Sequence, residues 1–290
     1  MGTVDDGMER ARGKVPVWGM AGVFTVVAFV AAGALGAVQP DTPVPAEVVQ
    51  LTQFGPAAAV GALALFRWRR TRELLRGAGA GAGTGGRGAG RAVAVLATAA
   101  LIVALSVLAY GITSGDARFT GPGALHHAFP LIAVAQLVGA CGEEIGWRCF
   151  LQPLLRTRFG TLASSVTVGL VWGAWHVPVF GRAPAYAAGF LLATVAMSVV
   201  LGVALEGTGG PYRLLLAGGF HALVNLGLLL CMDEESGAVL PMLCFGLACL
   251  VAALGWTLVR TGRRTSAAAA AATATAASAP GPAPTTLRRT

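Results

Sequence analysis

Long apolar runs dominate this 290-residue chain and restrict what it can fold into. Crossing the hydrocarbon core of a bilayer as a helix takes about 20 mostly apolar residues. Eight such runs can be marked, at 15–38, 48–66, 92–112, 124–142, 160–180, 184–205, 212–230 and 238–259. Only 12% of the residues are charged, whereas a soluble domain carries about a quarter. The sequence therefore predicts an all-α fold, a polytopic membrane helix bundle of about eight transmembrane helices.

Positive residues are distributed very unevenly between alternate loops. With the N-terminus placed in the cytoplasm, nineteen Lys and Arg residues fall on the cytoplasmic side, and only Arg118 and Arg182 fall on the other. Positive residues prefer the cytoplasmic side of a membrane. We therefore expect both termini in the cytoplasm of a multi-pass protein in a bacterial cell membrane. Because the arginines flank apolar runs, the net charge of +8 indicates a lipid bilayer as partner and not nucleic acid.

The chain divides into five predicted segments. They are a cytoplasmic N-terminus at 1–14, spans 1–3 at 15–125 with a Gly-rich cytoplasmic loop at 67–91, a polar-rich set of spans 4–7 at 126–230, span 8 at 238–260, and a disordered cytoplasmic tail at 261–290. Prolines are expected to interrupt several spans, at Pro56, Pro130, Pro178 and Pro241. Spans 1–3 carry almost no polar side chains at membrane depth, so the chemistry is expected in spans 4–7.

Three groups of polar side chains lie within or at the ends of the later spans. Ionisable groups at membrane depth are costly, and they are functional candidates for that reason. The groups are Glu143, Glu144 and Arg148 at the cytoplasmic end of span 4, His176 late in span 5, and His221 with Asn225 in the middle of span 7.

Helical spacing predicts how these side chains are arranged. Residues four apart share a helix face, so Glu144 and Arg148 can pair, while Glu143 points about 100° away around the helix. His221 and Asn225 also share a face. One carboxylate, two imidazoles and one carboxamide can therefore converge in a polar cavity within the bundle.

Two kinds of chemistry are compatible with this set. A glutamate can act as general base on a water molecule, and an asparagine amide with a histidine can stabilise an oxyanion. Alternatively, Glu143, His176 and His221 form a two-His, one-carboxylate set that suits Zn²⁺ with an open fourth position. The residues alone leave both alternatives open.

The three motifs together resemble the CPBP family of intramembrane endopeptidases, which includes CAAX proteases and bacteriocin-processing proteins and is also called the Abi family. The family pattern EExxxR is present as Glu143-Glu144-x-x-x-Arg148, and HxxxN as His221-x-x-x-Asn225. In the middle motif, FxxxH, Trp172 replaces phenylalanine before His176. The resemblance covers roughly residues 126–230.

The resemblance implies a role for each residue. Glu143 would activate the attacking water, His176 would help hold it, and His221 with Asn225 would form the oxyanion hole. Glu144, Arg148 and Trp172 would be supporting residues. The family has been described both as metalloendopeptidases and as metal-independent glutamate proteases, so the cofactor is either none or Zn²⁺. We favour the glutamate-activated water, because Asn225 suits an oxyanion better than a metal.

The expected function is hydrolysis of a peptide bond in a membrane-associated protein or peptide, of the CAAX or the bacteriocin and pheromone type, at a site reached from the cytoplasm. Two other functions compete with it. One is a non-catalytic membrane immunity or scaffold protein that keeps the polar core for folding or binding. The other is a proton-coupled transporter, which is disfavoured because no inverted repeat is visible.

Overall fold

A computed structural model describes residues 17–77, 86–115, 120–232 and 237–277, and within these ranges every regular element is helical. The α-helices are α1 (Val17–Val38), α2 (Gly55–Arg76), α3 (Gly86–Ser114), α4 (Phe129–Gly146), α5 (Gln152–Arg156), α6 (Thr161–Trp175), α7 (Pro184–Ala204), α8 (Gly210–Cys231) and α9 (Val239–Ala277). A π-helical turn (Trp147–Leu151) joins α4 to α5. Short 3₁₀ turns lie at Gln39–Asp41, Leu51–Phe54, Pro122–Ala124 and Val177–Gly181.

The predicted all-α membrane bundle is confirmed. In the described part of the chain, six helical segments are long and apolar enough to cross a membrane, at Val17–Asp41, Gly88–Ser114, Phe129–Arg156, Pro184–Ala204, Gly210–Cys231 and Val239–Gly262. The other two predicted spans correspond to α2 and α6. The second half of α2 is rich in arginine, and α6 has only 15 residues. Each of the eight apolar runs therefore contains a helix, although two of these helices are less suited to spanning.

The second span begins later than the sequence predicts. Residues 42–50 form a loop, and the helix begins at Gly55 instead of 48. The Gln39 side chain holds this loop, because its Nε2 donates to the carbonyl of Val49 (2.8 Å) and its Oε1 accepts from the amide of Leu51 (2.9 Å). The helix continues past the predicted end to Arg76, with a kink at Arg67.

Prolines lie at helix ends and do not interrupt the spans as predicted. Pro56 and Pro130 lie in the first turns of α2 and α4, and Pro241 is the third residue of α9. Pro178 follows the end of α6, in a 3₁₀ turn. The first turn of a helix has no partner for its backbone N–H groups, so proline removes nothing there.

The last helix is longer than the predicted span 8. It continues to Ala277, so the first part of the predicted disordered tail, 261–277, is helical. Alanine has the highest helix propensity of all residues, which accounts for the extension through the alanine-rich stretch. The predicted N-terminal segment 1–14 and residues 278–290 lie outside the described ranges.

The helices follow one another around the bundle in an order that differs from the chain order. Successive neighbours are α1, α2, α4, α8, α3, α9, α7 and α6. The Nε1 of Trp175 at the end of α6 donates to the carbonyl of Ala28 in α1 (3.3 Å), which brings the last helix of the series back to the first. The three helices that carry the predicted site, α4, α6 and α8, are members of this ring.

One end of the bundle is held together by Glu206, which lies in the turn between α7 and α8; we call it the Glu206 end. Its carboxylate accepts from Arg156 Nη2 and Arg260 Nε, both at 2.9 Å, and its backbone carbonyl accepts from Arg91 Nη1 (3.0 Å). Partial burial opposes ionisation, but the hydrogen bonds from Arg260, Thr161 and Arg156 outweigh it and lower the pKa of Glu206 to about 2. This end therefore keeps its ion pairs at any physiological pH.

Other contacts hold the opposite end, which we call the Arg182 end after the exposed arginine between α6 and α7. The carboxylate of Glu47, in the loop after α1, accepts from the backbone amide of His126, just before α4 (3.1 Å). The amide of Thr120 donates to the carbonyl of Leu230 at the end of α8 (2.7 Å). The loops 39–54 and 176–183 lie at this end. The end of α2 at Gly77 and the loops after α5 and α7 lie at the Glu206 end.

Candidate active site

A cavity of about 320 Å³ contains all four side chains that the sequence predicts to be catalytic. Glu143 lies on α4, His176 directly after α6, and His221 with Asn225 on α8. These residues come from three helices that are separated in the chain, and the bundle brings them to one polar space. The predicted convergence is therefore present in the structure.

Glu143 is almost completely buried, with 2% of its surface exposed. Its Oε2 accepts a hydrogen bond from Nε1 of Trp172 (2.8 Å), and its Oε1 accepts a longer one from Nε2 of Gln53 (3.4 Å). These two donors fix the plane of the carboxylate. Trp172 replaces the family's phenylalanine, and only the indole can donate this hydrogen bond.

Glycines on one face of α4 allow the segment 53–56 to approach Glu143. A Cβ at Gly139 would overlap the side chain of Gln53, and a Cβ at Gly142 would lie 2.9 Å from Phe54 Cδ1 and 3.1 Å from the carbonyl oxygen of Gln53. A Cβ at Gly146 would meet Pro56 and Phe24. Close helix contacts in membranes depend on such small residues. The glycine face therefore positions Gln53 beside the carboxylate.

We predict that Gly142→Ala destabilises the protein by about 1–3 kcal/mol, because the added methyl meets Phe54 and a backbone oxygen that must shift. Gly61→Ala is the matched control, since Gly61 lies within α2 with no atom within 4 Å of its Cβ position. The control should be neutral or slightly stabilising. Equilibrium unfolding of both purified variants in mixed micelles measures the difference. Equal stability of the two would contradict the close approach.

Glu144 lies beside Glu143 in sequence but has different partners. It is fully buried, its Oε2 lies 3.3 Å from Nε of Arg148, and its Oε1 lies 3.1 Å from Nδ1 of His221. The predicted pairing of Glu144 with Arg148 is therefore present. Arg148 is itself 2% exposed, and its guanidinium carbon lies 4.7 Å from the centre of the Trp172 ring. The carboxylate of Glu144 thus lies between the guanidinium of Arg148 and the imidazole of His221 and contacts both.

A π-helical turn begins at Trp147, one residue before Arg148. Such turns are rare and occur frequently at functional sites. Trp147 is fully buried and packs edge-on against Phe24 and Trp175. Arg148, the buried arginine that pairs with Glu144, lies within this turn.

The hydrogen-bond partners of the two histidines determine which ring nitrogen carries a proton. Nδ1 of His176 lies 2.9 Å from the carbonyl oxygen of Trp172, which can only accept, so this nitrogen is protonated. In the neutral ring, Nε2 of His176 is then an acceptor. Nδ1 of His221 faces the carboxylate of Glu144 and donates in the same way. Nε2 of His221 becomes a donor when the ring is an imidazolium, with Glu144 as its counter-ion.

Asn225 lies one turn beyond His221 on the same face of α8. Its Nδ2 donates to Oε1 of Gln136 on α4 (3.3 Å). A carboxamide nitrogen carries two hydrogens, so one remains for a ligand in the cavity. Gln136 therefore orients the amide without using all of its donors.

Two residues of the site were missed by the sequence analysis, Gln53 and Gln136. Both line the cavity and both bond directly to a predicted catalytic side chain. Gln53 lies in a segment that was described as almost free of polar chemistry. An isolated glutamine within an apolar run was the available signal, and a carboxamide at membrane depth needs a partner for the same reason as a charge.

The predicted zinc set does not fit a metal ion. Among the described residues, no three His, Cys, Asp or Glu side chains are grouped so that they could hold one. Nδ1 of each histidine bonds to a protein oxygen and leaves Nε2 free, so the misfit lies in the spacing of the three side chains and not in their hydrogen bonds. We therefore derive no step through a metal.

A second cavity, of about 420 Å³, lies at the Glu206 end. Arg148, Gln152, Arg156, Glu206 and Arg213 contribute to its lining. Arg148 belongs to this cavity, whereas Glu143 belongs to the first. The buried Glu144–Arg148 pair thus lies between two polar cavities on opposite sides of the bundle.

The first cavity extends to the Arg182 end. Its lining includes Ala46, Glu47 and Gln50 from the loop after α1, and Arg182 from the loop after α6. Ala46, Gln50 and Arg182 are exposed. The sequence predicts access from the cytoplasm, which is the arginine-rich side of the predicted topology. The cavity opens at the other end, so that expectation and the predicted orientation are inconsistent.

Comparison with known proteins finds a family to which part of the chain is similar. Residues 125–227, which include all four predicted catalytic side chains, match the family model for type II CAAX prenyl endopeptidases, Rce1-like. This part of the chain is similar to an Rce1-like domain. The family is a protease family, and the match agrees with the resemblance to the CPBP family that the three motifs indicate.

Curated relatives of this chain come from staphylococci. Lysostaphin resistance protein A of Staphylococcus epidermidis is 26% identical over 129 residues, which is 44% of this chain and 33% of the relative. The protein of the same name from Staphylococcus aureus is 27% identical over 126 residues, 43% of this chain and 29% of the relative. The chain thus spans about a third of the length of these relatives. With its six spanning-type helices, the chain is a multi-pass bacterial membrane protein.

Proposed function

We propose that this protein is an intramembrane endopeptidase that hydrolyses a peptide bond of a membrane-associated protein or peptide. The observation that carries the proposal is the convergence of Glu143, His176, His221 and Asn225 on one polar cavity within the bundle. Their placement supplies a base, a water-binding group and oxyanion donors. The match of residues 125–227 to the model of a protease family supports the same reaction class.

Glu143 is the proposed general base. Its carboxylate takes a proton from a water molecule as the water oxygen attacks the carbonyl carbon of the substrate. Nε2 of His176 accepts the other hydrogen of this water, because Nδ1 of His176 already donates to Trp172. Trp172 and Gln53 hold the base in place. General bases positioned in this way contribute about 10²–10⁴ to the rate.

Asn225 and His221 are the proposed oxyanion donors. The free hydrogen of Asn225 Nδ2 and Nε2–H of the His221 imidazolium are available to the tetrahedral intermediate. Glu144 stabilises that imidazolium through Nδ1 (3.1 Å). As the intermediate collapses, the C–N bond breaks, and the proton held by Glu143 passes to the leaving amine. Water is the only co-reactant.

A second candidate function is a non-catalytic resistance or scaffold role. It is favoured by the names of the relatives, which are resistance proteins. In that case the same polar core would serve folding or partner binding.

N-terminal peptide profiling of cells distinguishes the two functions. We would compare cells that express the wild type, Glu143→Gln and Glu73→Gln at equal membrane levels. Glu73 is an exposed glutamate of α2 paired with Arg70, so Glu73→Gln controls for the loss of a carboxylate elsewhere. New N-termini that appear with the wild type and Glu73→Gln, but not with Glu143→Gln, are expected. Identical profiles for all three would favour the scaffold.

A further inference from the structure

We infer that the active-site cavity opens on the extracytoplasmic side of the membrane, and that its substrate is a flexible peptide segment presented from that side. The substrate part of this inference rests on the proposed protease function. The orientation part rests on charge and geometry alone. Two independent features of the molecule lead to it.

The first feature is the position of the cavity mouth. The exposed lining residues Ala46, Gln50 and Arg182 all lie at the Arg182 end of the bundle. None of the described residues that line this cavity comes from the end of α2 at Gly77 or from the loops after α5 and α7, at the Glu206 end. The catalytic carboxylate is therefore reached from the Arg182 end.

The second feature is the distribution of positive charge between the two ends. The arginines of α2 from Arg67 to Arg76, together with Arg156, Arg158 and Arg260, lie toward the Glu206 end. Among the described residues, Arg91 and Arg213 also lie at that end, and Arg182 lies at the other. Since cytoplasmic segments are enriched in Lys and Arg, the Glu206 end is cytoplasmic. The Arg182 end then faces outward.

The cytoplasmic side has no polar route to the catalytic base. Between the second cavity and Glu143 lie Arg148 and Glu144, which are 2% and 0% exposed. A peptide approaching from the Glu206 end would have to displace this buried ion pair. A peptide approaching from the Arg182 end meets only the cavity mouth.

The depth of the base restricts the form of the substrate. Gln53, which bonds to Glu143, lies three residues after Gln50, an exposed residue of the cavity mouth, so at most about 10 Å of chain separates them. An extended substrate covers about 3.3 Å per residue, so about three residues must enter before a peptide bond reaches the carboxylate. A folded domain cannot enter a cavity of about 320 Å³. The substrate class is therefore an unstructured tail or loop of a secreted or membrane-anchored protein.

Two single-cysteine positions test the orientation without reference to activity. Ala46→Cys places a thiol at the cavity mouth, and Gly160→Cys places one at the Glu206 end, where nothing lies within 4 Å of the Cβ position. Intact cells would be treated with a membrane-impermeant maleimide, before and after permeabilisation. The parent protein gives the background of the native thiols, of which Cys141 and Cys231 are partly exposed.

We expect Ala46→Cys to be labelled in intact cells at least about 10-fold above the parent, and Gly160→Cys only after permeabilisation. The reverse pattern, or labelling of both positions in intact cells, would overturn the inferred orientation. Because the readout is labelling and not cleavage, it remains interpretable if the protein is not a protease.

The position of cleavage sites tests the substrate class. In the profiling of wild type against Glu143→Gln, the new N-termini should lie in extracytoplasmic segments of secreted or membrane proteins. Cleavage sites confined to cytoplasmic segments would overturn the inference even if proteolysis is established. Expected labelling combined with no new N-termini would reject the protease function and retain the outward-facing cavity.

Discussion

Replacing Glu143 by glutamine is expected to slow peptide-bond cleavage by about 100-fold or more while the protein remains folded. Glutamine keeps the size of the side chain. It also keeps an oxygen that can accept the hydrogen bond which Trp172 Nε1 donates to Glu143 Oε2 in the wild type (2.8 Å). It removes the base that takes the proton from water. The measurement is the initial rate of purified protein in lipid nanodiscs on a peptide that spans a cleavage site found by profiling.

The stability of this variant is part of the prediction. Its unfolding midpoint should match that of the wild type closely, because Glu143 accepts hydrogen bonds from neutral donors only. Glu73→Gln should retain full activity, since Glu73 is exposed on α2. A Glu143→Gln protein that cleaves at more than about a tenth of the wild-type rate would reject Glu143 as the base.

The neighbouring substitution Glu144→Gln is expected to act on stability, with a loss of about 3 kcal/mol. Glu144 is fully buried and is the nearest carboxylate to Arg148, which is also buried. Removing one member of a buried ion pair leaves the other charge uncompensated, which typically costs about 3–5 kcal/mol. Equilibrium unfolding in mixed micelles measures the loss. The exposed pair of Arg70 and Glu73 gives the comparison, where Glu73→Gln should cost less than about 0.5 kcal/mol.

A double-mutant cycle separates the ion pair from the rest of the Glu144 contacts. Arg148→Met alone should destabilise the protein less, because Glu144 still faces Nδ1 of His221. The double variant Glu144→Gln with Arg148→Met removes both charges of the pair and should be more stable than Glu144→Gln alone. Additive losses in the double variant would mean that the two side chains do not interact, contrary to their 3.3 Å separation.

Hydropathy predicted the helices well because burial in lipid leaves few backbone alternatives. Every apolar run contains a helix, since a chain in hydrocarbon must satisfy its own N–H and C=O groups. The boundaries were less predictable. The length of an apolar run does not reveal that residues 42–50 form a loop. The loop depends on hydrogen bonds between the Gln39 side chain and the backbone of Val49 and Leu51. Likewise, the prolines marked helix starts and not interruptions.

The site was predictable where it depends on local spacing. The pairing of Glu144 with Arg148 follows from their separation of four residues on one helix. The contacts of Glu143 do not, because Gln53 and Trp172 are 90 and 29 residues away in sequence. The side from which the cavity is reached depends on how the loops cover each end. The position of Glu143 near the end of an apolar run suggested access from the Glu206 end, whereas the cavity opens at the Arg182 end.

The two cavities have a consequence for the electrical properties of the membrane around this protein. Glu143 lines one cavity and Arg148 lines the other, and five residues of helix correspond to roughly 7–8 Å. A bilayer's hydrocarbon core is about 30 Å thick. Both cavities have charged side chains in their linings and are large enough for water, and the Glu144–Arg148 pair with the side chains around it separates them. We therefore expect the transmembrane voltage to fall steeply near this buried ion pair.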